Sequence, residues 1–411
     1  MAESVCRLAA SCLIFLLGAV FFGNPVQAYA TLSDETLKSL PRPNNDFNIR
    51  DGALLAPILQ PRVPGTPGSL RVLQHFVDFF RTTLPEWTIE FQNSTSKTPV
   101  TGNREVPFVN LIAFRDPPWS GVGDTSRFTL AAHYDSKREP PGFIGATDSA
   151  APCAIIMHSI RSIDAALTKK WDAMKAESSH DSFFDHQGIQ VFLLDGEEAF
   201  HYWTDIDSLY GSRALAQAME DTFYPATSVY KSPLSAISLF VLLDLLGEKD
   251  PQILSHFKTT HWAYQNMATL ETRLRQLGLF KSAPSWMNGD KLWLPDSEKE
   301  IFFPSGIADD HIPFMRRGVE ILHLIASPFP KTWHKITDNA EQLDLDTVED
   351  WSTLLTAFIA EWLELEGRDI CNVFLRTEMI YISMEIDCRG DRGPPSSPFR
   401  CVYGGVEQKS I

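Results

Sequence analysis

The sequence predicts an α/β protein, a three-layer α/β/α sandwich around a mostly parallel central sheet. Two observations carry this. Short, almost wholly apolar runs that read as strands alternate with longer segments of helical periodicity, the pattern of a sheet covered on both faces. Several of those runs also end in carboxylates or imidazoles, and in parallel sheets the ligand sits beyond the carboxyl ends of the strands.

The elements follow in order. Residues 31–68 are polar and rich in Pro, Asp and Asn, but Ser33-Asp34-Glu35 ahead of Leu37 and Leu40 predicts a capped helix. Leu70, Val72, Leu73, Phe76, Val77 and Phe80 recur at helical spacing and predict a helix over Ser69–Thr83. Strands are expected at Trp87–Phe91, Pro107–Phe114, Arg127–His133, Ile189–Leu194, Leu239–Leu243 and Val319–Ile325. Helices are expected at Ser149–Leu167, Ser208–Met219, Thr260–Leu277 and Leu345–Leu365. The stretch Ser282–Gly306 lacks periodicity and is long for a connection, which predicts a substrate-facing loop.

The ends are distinct from this body. An apolar run over Leu8–Phe22 is broken by Gly23-Asn24-Pro25 and followed by the small residues Ala28 and Ala30. Residues 1–30 therefore read as a secretory signal peptide. The run is short for a bilayer span, which needs about 20 apolar residues, so the alternative, an uncleaved anchor holding the chain in the Golgi membrane, is second. Residues 31–366 read as one catalytic domain and 367–411 as a C-terminal extension. Cys6 and Cys12 leave with the signal, and Cys153, Cys371, Cys388 and Cys401 are too few for a disulfide scaffold. Asn93-Ser94-Thr95 is an N-glycosylation acceptor in an exported chain. The net charge of -16 argues against nucleic acid as a partner, because phosphate binding needs clustered Lys and Arg.

Chemistry concentrates in five segments: His133-Tyr134-Asp135-Ser136, Gly145 to Ala150, Asp195-Gly196-Glu197-Glu198-Ala199, Leu242 to Gly247, and Trp333-His334. Zinc takes imidazole nitrogen and carboxylate oxygen, and a catalytic site keeps one position open. Asp148, Glu198 and His334 would supply three ligands. Taken singly, each residue has a plainer reading. Asp148 could cap a helix, Glu197 and Glu198 could be a solvated pair, and His133, His311, His323 and His334 could be hydrogen-bonded core histidines. Asp244 differs, because a carboxylate inside Val241-Leu242-Leu243-Asp244-Leu245-Leu246 must be paired or protonated.

Together these segments resemble the glutaminyl-peptide cyclotransferases, within the zinc-aminopeptidase-like (M28-type) family of metallopeptidases. The resemblance runs from residue 70 to 366. It also rests on Asp207 to Arg213, on Asp309-Asp310-His311-Ile312-Pro313-Phe314, and on Ser327 to Pro330 ahead of Trp333-His334. It implies a zinc-aminopeptidase-like fold and one zinc ion per chain on Asp148, Glu198 and His334. It implies Glu197 as acid/base, a hydrogen-bond network with Asp244 and Asp309, and Trp203 and Trp333 lining the pocket. The implied reaction closes an N-terminal glutamine, or more slowly glutamate, of a peptide or protein into pyroglutamate, with release of ammonia. A monomer without stable membrane insertion is expected. Vertebrate secreted members carry a cysteine before the first His that pairs at the position of Cys153; Ala132 stands there, so a free, buried Cys153 thiol is implied.

Two rivals remain. A two-zinc aminopeptidase could use His133, Asp148, Glu198, Asp244 and His334. Phe200 to Trp203, the Asp309 segment and Pro330 favour the cyclase. A non-catalytic binding protein would need a broken site, and every expected ligand is present.

Overall fold

The computed structural model describes residues 31–177, 186–282, 292–295, 307–368 and 370. The expected signal peptide, the cysteines Cys371, Cys388 and Cys401, and most of the 282–306 loop lie outside the described residues, which belong to a single compact unit.

The chain runs through α1 (Asp34–Ser39), α2 (Pro67–Thr83), β1 (Thr88–Lys97), β2 (Glu105–Arg115), β3 (Ser126–His133), α3 (Ala151–Ala176), β4 (Gln187–Leu194), α4 (Tyr210–Asp221), β5 (Ile237–Asp244), α5 (His261–Gln276), α6 (Ile312–Met315), β6 (Ile321–Ile325) and α7 (Leu345–Trp362). The main helix starts are capped as their sequences ask. Ser33, Thr66 and Asp344 each accept a backbone N–H three residues on, which satisfies a donor that the first helical turn leaves open.

Six strands form one sheet in the order β1-β2-β4-β3-β5-β6. β4, β3, β5 and β6 run parallel, whereas β2 pairs antiparallel with β4 and β1 antiparallel with β2 at the sheet's edge. Alternate strand residues feed two cores. Leu130, Val191, Val241 and Leu324 join α2, α3, α5 and α7 in the larger one. Ala131, Phe192, Phe240 and Ile321 join α4 and α6 in the smaller. Each fully buried Leu, Ile, Val or Phe contributes roughly 1.5–3 kcal/mol, so the three-layer arrangement is held mainly by these two interfaces.

The expected elements are present, with shifted ends. α3 starts at Ala151 rather than Ser149 and runs on to Ala176, because Trp171 still packs inward beyond Leu167. β1 continues past Phe91 to Lys97 through polar residues, since its ladder with β2 extends from Thr88↔Phe114 to Lys97↔Glu105. Within the 282–306 stretch, Trp293 and Leu294 are buried. Their N–H groups donate to the Glu271 carboxylate at 2.8 and 2.9 Å, and Trp293 stacks on Trp351 at 5.0 Å. Among the described residues, no helix is long and apolar enough to cross a membrane.

The connectivity locates the site. From β3 the chain continues to β4 on one side of it and later to β5 on the other, so β3 is a switch point. At such a point the loops leaving the strand ends diverge and open a crevice. His133, Leu194 and Asp244, the last residues of those strands, border it.

Candidate active site

At the end of β4 the chain turns sharply through Gly196, with φ of 77°. A side chain there would collide with the Phe108 ring, so only glycine permits the turn. The turn presents Glu197 and Glu198, and its amides are held from β3: the Asp135 carboxylate accepts Glu197 N–H at 3.0 Å and Glu198 N–H at 3.1 Å. Asp148 comes from the irregular segment Ala146–Ala150 before α3, entered through Gly145 with φ of 58°. Its side chain makes no cap hydrogen bond, so the N-cap reading gives way to a different arrangement. The buried Arg62 guanidinium donates to Gly145 O at 2.9 Å and Asp148 O at 3.3 Å. Asp338 Oδ1 accepts Thr147 N–H and Thr147 Oγ1–H, both at 3.0 Å, which ties this segment to the loop carrying His334.

These elements bring Asp148, Glu198 and His334 together. His334 Nε2 lies 3.5 Å from Asp148 Oδ2 and 3.5 Å from Glu198 Oε1. Both carboxylate oxygens are buried without a hydrogen-bond partner among the described residues. Buried anionic oxygens without partners are costly, and two of them facing one imidazole nitrogen match the donor set of a catalytic zinc site. The residues therefore fit a divalent cation. Lys137 Nζ lies 3.3 Å from the other Glu198 oxygen. Burial and the neighbouring Glu198 charge raise the Asp148 carboxyl to about 7. A bound cation would reverse that rise, because it favours the ionised form.

A second group adjoins the first. His133 Nε2 lies 3.0 Å from Asp148 Oδ1 and 3.5 Å from Asp244 Oδ1, and Nδ1 lies 3.4 Å from Asp135 Oδ1. Burial alone would lower this imidazole, but the three carboxylates outweigh it and hold the pKa well above the usual histidine range. Asp244 is paired, as its apolar context demands. Its Oδ1 accepts from the Ser149 hydroxyl and, at 2.8 Å, from Leu245 N–H. Burial would raise Asp244, yet His133 and Ser149 keep it below the usual carboxylate value. The third group is Asp309 with His311 and His323. Asp309 Oδ2 meets His323 Nε2 at 2.7 Å, and Oδ1 accepts Asp310 N–H at 2.6 Å. Burial and the Asp244 charge push Asp309 well above its ordinary value.

Glu197 lines the crevice with Asp148 and His334, in a cavity of about 520 Å³ walled by Trp203, Trp333, Phe329, Ile307 and Ile325. Burial first, then the charges of Glu198, Asp309 and Asp310, raise the Glu197 carboxyl well above the ordinary range despite the opposing pull of His133. Trp333 stacks on the His334 ring at 3.8 Å and meets Phe329 edge-on at 4.9 Å. Trp203 sits on a loop closed around Asp207, whose carboxylate accepts the N–H groups of Phe200 and His201, both at 2.9 Å, and of Tyr202 at 3.1 Å. A second groove of similar size, about 510 Å³, lies on the β1–β2–β4 face, but no imidazole lines it. Donor chemistry, not volume, singles out the strand-end cavity.

All eight residues expected from sequence thus lie in or against one crevice; Asp309 stands behind its wall, beside the lining residue Ala308. Cys153 is free and buried, as the alanine at 132 implied. The holding residues Asp135, Asp207 and Asp338 received no role from sequence. Asp135 carried a usable signal, a second acid two residues beyond a strand-end histidine. The roles of Asp207 and Asp338 were not marked, because they act mainly on backbone amides.

Comparison with known proteins agrees with this geometry. Residues 118–359 match peptidase family M28. The chain is 39% identical over 321 residues to the glutaminyl-peptide cyclotransferase-like protein of Mus musculus, covering 76% of this chain and 75% of that one. It is 38% identical over 315 residues to the glutaminyl-peptide cyclotransferase of Bos taurus, covering 76% and 81%. The crystal structure of Macrostomum lignano glutaminyl cyclase superposes with a TM-score of 0.65 at 29% identity, covering 83% of this chain and 96% of that one. By these matches the chain belongs to peptidase family M28 and, within it, to the glutaminyl-peptide cyclotransferases.

Proposed function

We propose that this chain converts an N-terminal glutamine of peptides or proteins, and more slowly glutamate, into pyroglutamate, and that glutamine turnover releases ammonia. The observation that carries the reading is the meeting of Asp148 Oδ2, Glu198 Oε1 and His334 Nε2 beside Glu197 in a cavity walled by tryptophans.

In this reading Asp148, Glu198 and His334 hold one zinc ion per chain. When bound, zinc supplies Lewis-acid polarisation of a carboxamide carbonyl. The remaining work falls to the chain. The substrate α-amine, with a free pKa of about 7.7–8.0, must be neutral to attack the carbonyl carbon of the side-chain carboxamide. Glu197 accepts its proton and returns one to the departing ammonia; its elevated pKa suits both steps. Asp244 and Asp309 belong to the carboxylate network beside Glu197; Asp309 bears on the Glu197 charge and Asp244 on that of Asp309. Trp203 and Trp333 hold amine and carboxamide in a near-attack arrangement and exclude water, which favours ring closure over hydrolysis. Export through the secretory pathway, resting on the pattern of residues 1–30, and a monomeric state belong to the same proposal.

The two-zinc aminopeptidase is the second reading, favoured by the His133–Asp148–Asp244 group. Against it, Asp244 Oδ1 already accepts the Ser149 hydroxyl and the Leu245 amide. Purified full-length protein, assayed with glutamine-initiated peptides and with leucine p-nitroanilide, separates the readings. Ammonia release with one zinc per chain supports cyclisation. Two zincs with turnover of the anilide would overturn it.

A further inference from the structure

The sequon Asn93-Ser94-Thr95 lies in the middle of β1, at the free edge of the sheet. Among the described residues, no strand pairs with the outer side of β1. Its register with β2 is unbroken over ten positions, so no bulge twists it away, and it contains no proline. The only basic residue is Lys97 at its end. Long, flat edges lacking these features pair with other chains, and native proteins protect them.

Asn93 is exposed, and no hydrogen bond engages its carboxamide among those found at β1. Thr95 is exposed too, and its hydroxyl donates to Glu105 Oε2 across the strand pair at 2.8 Å. The acceptor nitrogen and the hydroxyl of the sequon therefore both belong to exposed positions of the edge strand. We propose that Asn93 is an N-glycosylation site whose glycan occupies the β1 edge and keeps the chain monomeric. The transfer joins the anomeric carbon of a polyprenyl-diphosphate-linked oligosaccharide to Asn93 Nδ2. The bond from that carbon to the diphosphate oxygen breaks, the diphosphate leaves, and one amide proton is lost. A neighbouring strand would have to approach to about 4.8 Å, which a branched oligosaccharide in mid-strand prevents. The proposal is independent of the catalytic reading, because the edge lies at the opposite side of the sheet order from β6 and contributes nothing to the strand-end cavity.

The test expresses the full chain behind a secretion signal in eukaryotic cells, with peptide mass spectrometry after peptide-N-glycosidase treatment and light scattering across a concentration series. Wild type and Thr95→Ser should carry glycan at Asn93, and Asn93→Gln and Thr95→Ala should not. The unglycosylated forms should dimerise at concentrations where the glycoprotein is monomeric. Phe91→Lys added to Asn93→Gln should restore the monomer by placing charge on the edge. All variants should keep wild-type turnover of any substrate. Unmodified Asn93 in the exported protein would overturn the site, and a monomeric deglycosylated protein would overturn its role.

Discussion

Asp135 and Glu197 meet through the backbone: the carboxylate at the end of β3 accepts the Glu197 N–H at 3.0 Å, and its second oxygen accepts the Glu198 N–H at 3.1 Å. One buried side chain thereby sets both the acid/base candidate and a metal-ligand candidate. Asp135→Ala leaves two buried amides without acceptors, at about 1–3 kcal/mol each. The expected result is a lower melting temperature together with reduced metal content and turnover. Asp135→Asn retains one acceptor oxygen and should fall between. If Asp135→Ala melts and turns over as the wild type does, the backbone clamp is not what holds the turn.

Glu197 stands beside the three ligand candidates without a place among the convergent ligand atoms. Glu197→Gln keeps the shape and removes the titrating proton. Metal content and peptide binding should persist while kcat falls by about 100-fold or more, the usual size of a general acid–base contribution. Single-turnover measurement with a glutamine-initiated dipeptide reads this directly. Near-normal kcat would assign the proton transfer to another group.

His334 is the only one of the three ligand candidates on a partly exposed loop; its side chain keeps 26% of its surface. His334→Ala removes the nitrogen that faces both orphaned oxygens, and it should abolish stoichiometric zinc. Metal that binds only the folded state adds stability by mass action. A chelator should therefore lower the melting temperature of the wild type and leave that of His334→Ala unmoved. An equal response of the two proteins would place the metal elsewhere.

The layers of the fold were legible because burial imposes a pattern. Val241-Leu242-Leu243 is apolar on both faces, as a strand between two helical layers must be, and Asp244 marks where that run meets the crevice. The candidate ligands Asp148, Glu198 and His334 could be named because metal chemistry restricts donors to few residue types and the family resemblance pointed to these three. What escaped was whatever works through backbone amides. Asp207 gathers the amides of residues 200–202, and Asp338 gathers that of Thr147 from 191 positions away. These amide bonds do not constrain the identity of their partners, so they leave no mark in the order of residues. The ends of α3 and β1 slipped for a related reason. Ladder and helix hydrogen bonds continue through polar residues as readily as through apolar ones.

Asp46 gives a prediction remote from the site. Its carboxylate is bonded to His158 Nδ1 at 3.1 Å and to the Arg161 guanidinium, joining the N-terminal segment to α3. Burial would raise this carboxyl, but His158 and Arg161 prevail and hold it below the usual carboxylate range. A carboxylate with a depressed folded-state pKa adds stability above its unfolded pKa and loses it as pH falls through the folded value. Asp46→Asn should therefore cost about 3 kcal/mol at neutral pH, the scale for breaking a buried pair. The gap to wild type should begin to close as pH drops below about 4. Denaturant melts of both proteins between neutrality and acid measure it. A gap that stayed constant down to the lowest pH would mean that packing, not the ion pair, anchors the segment.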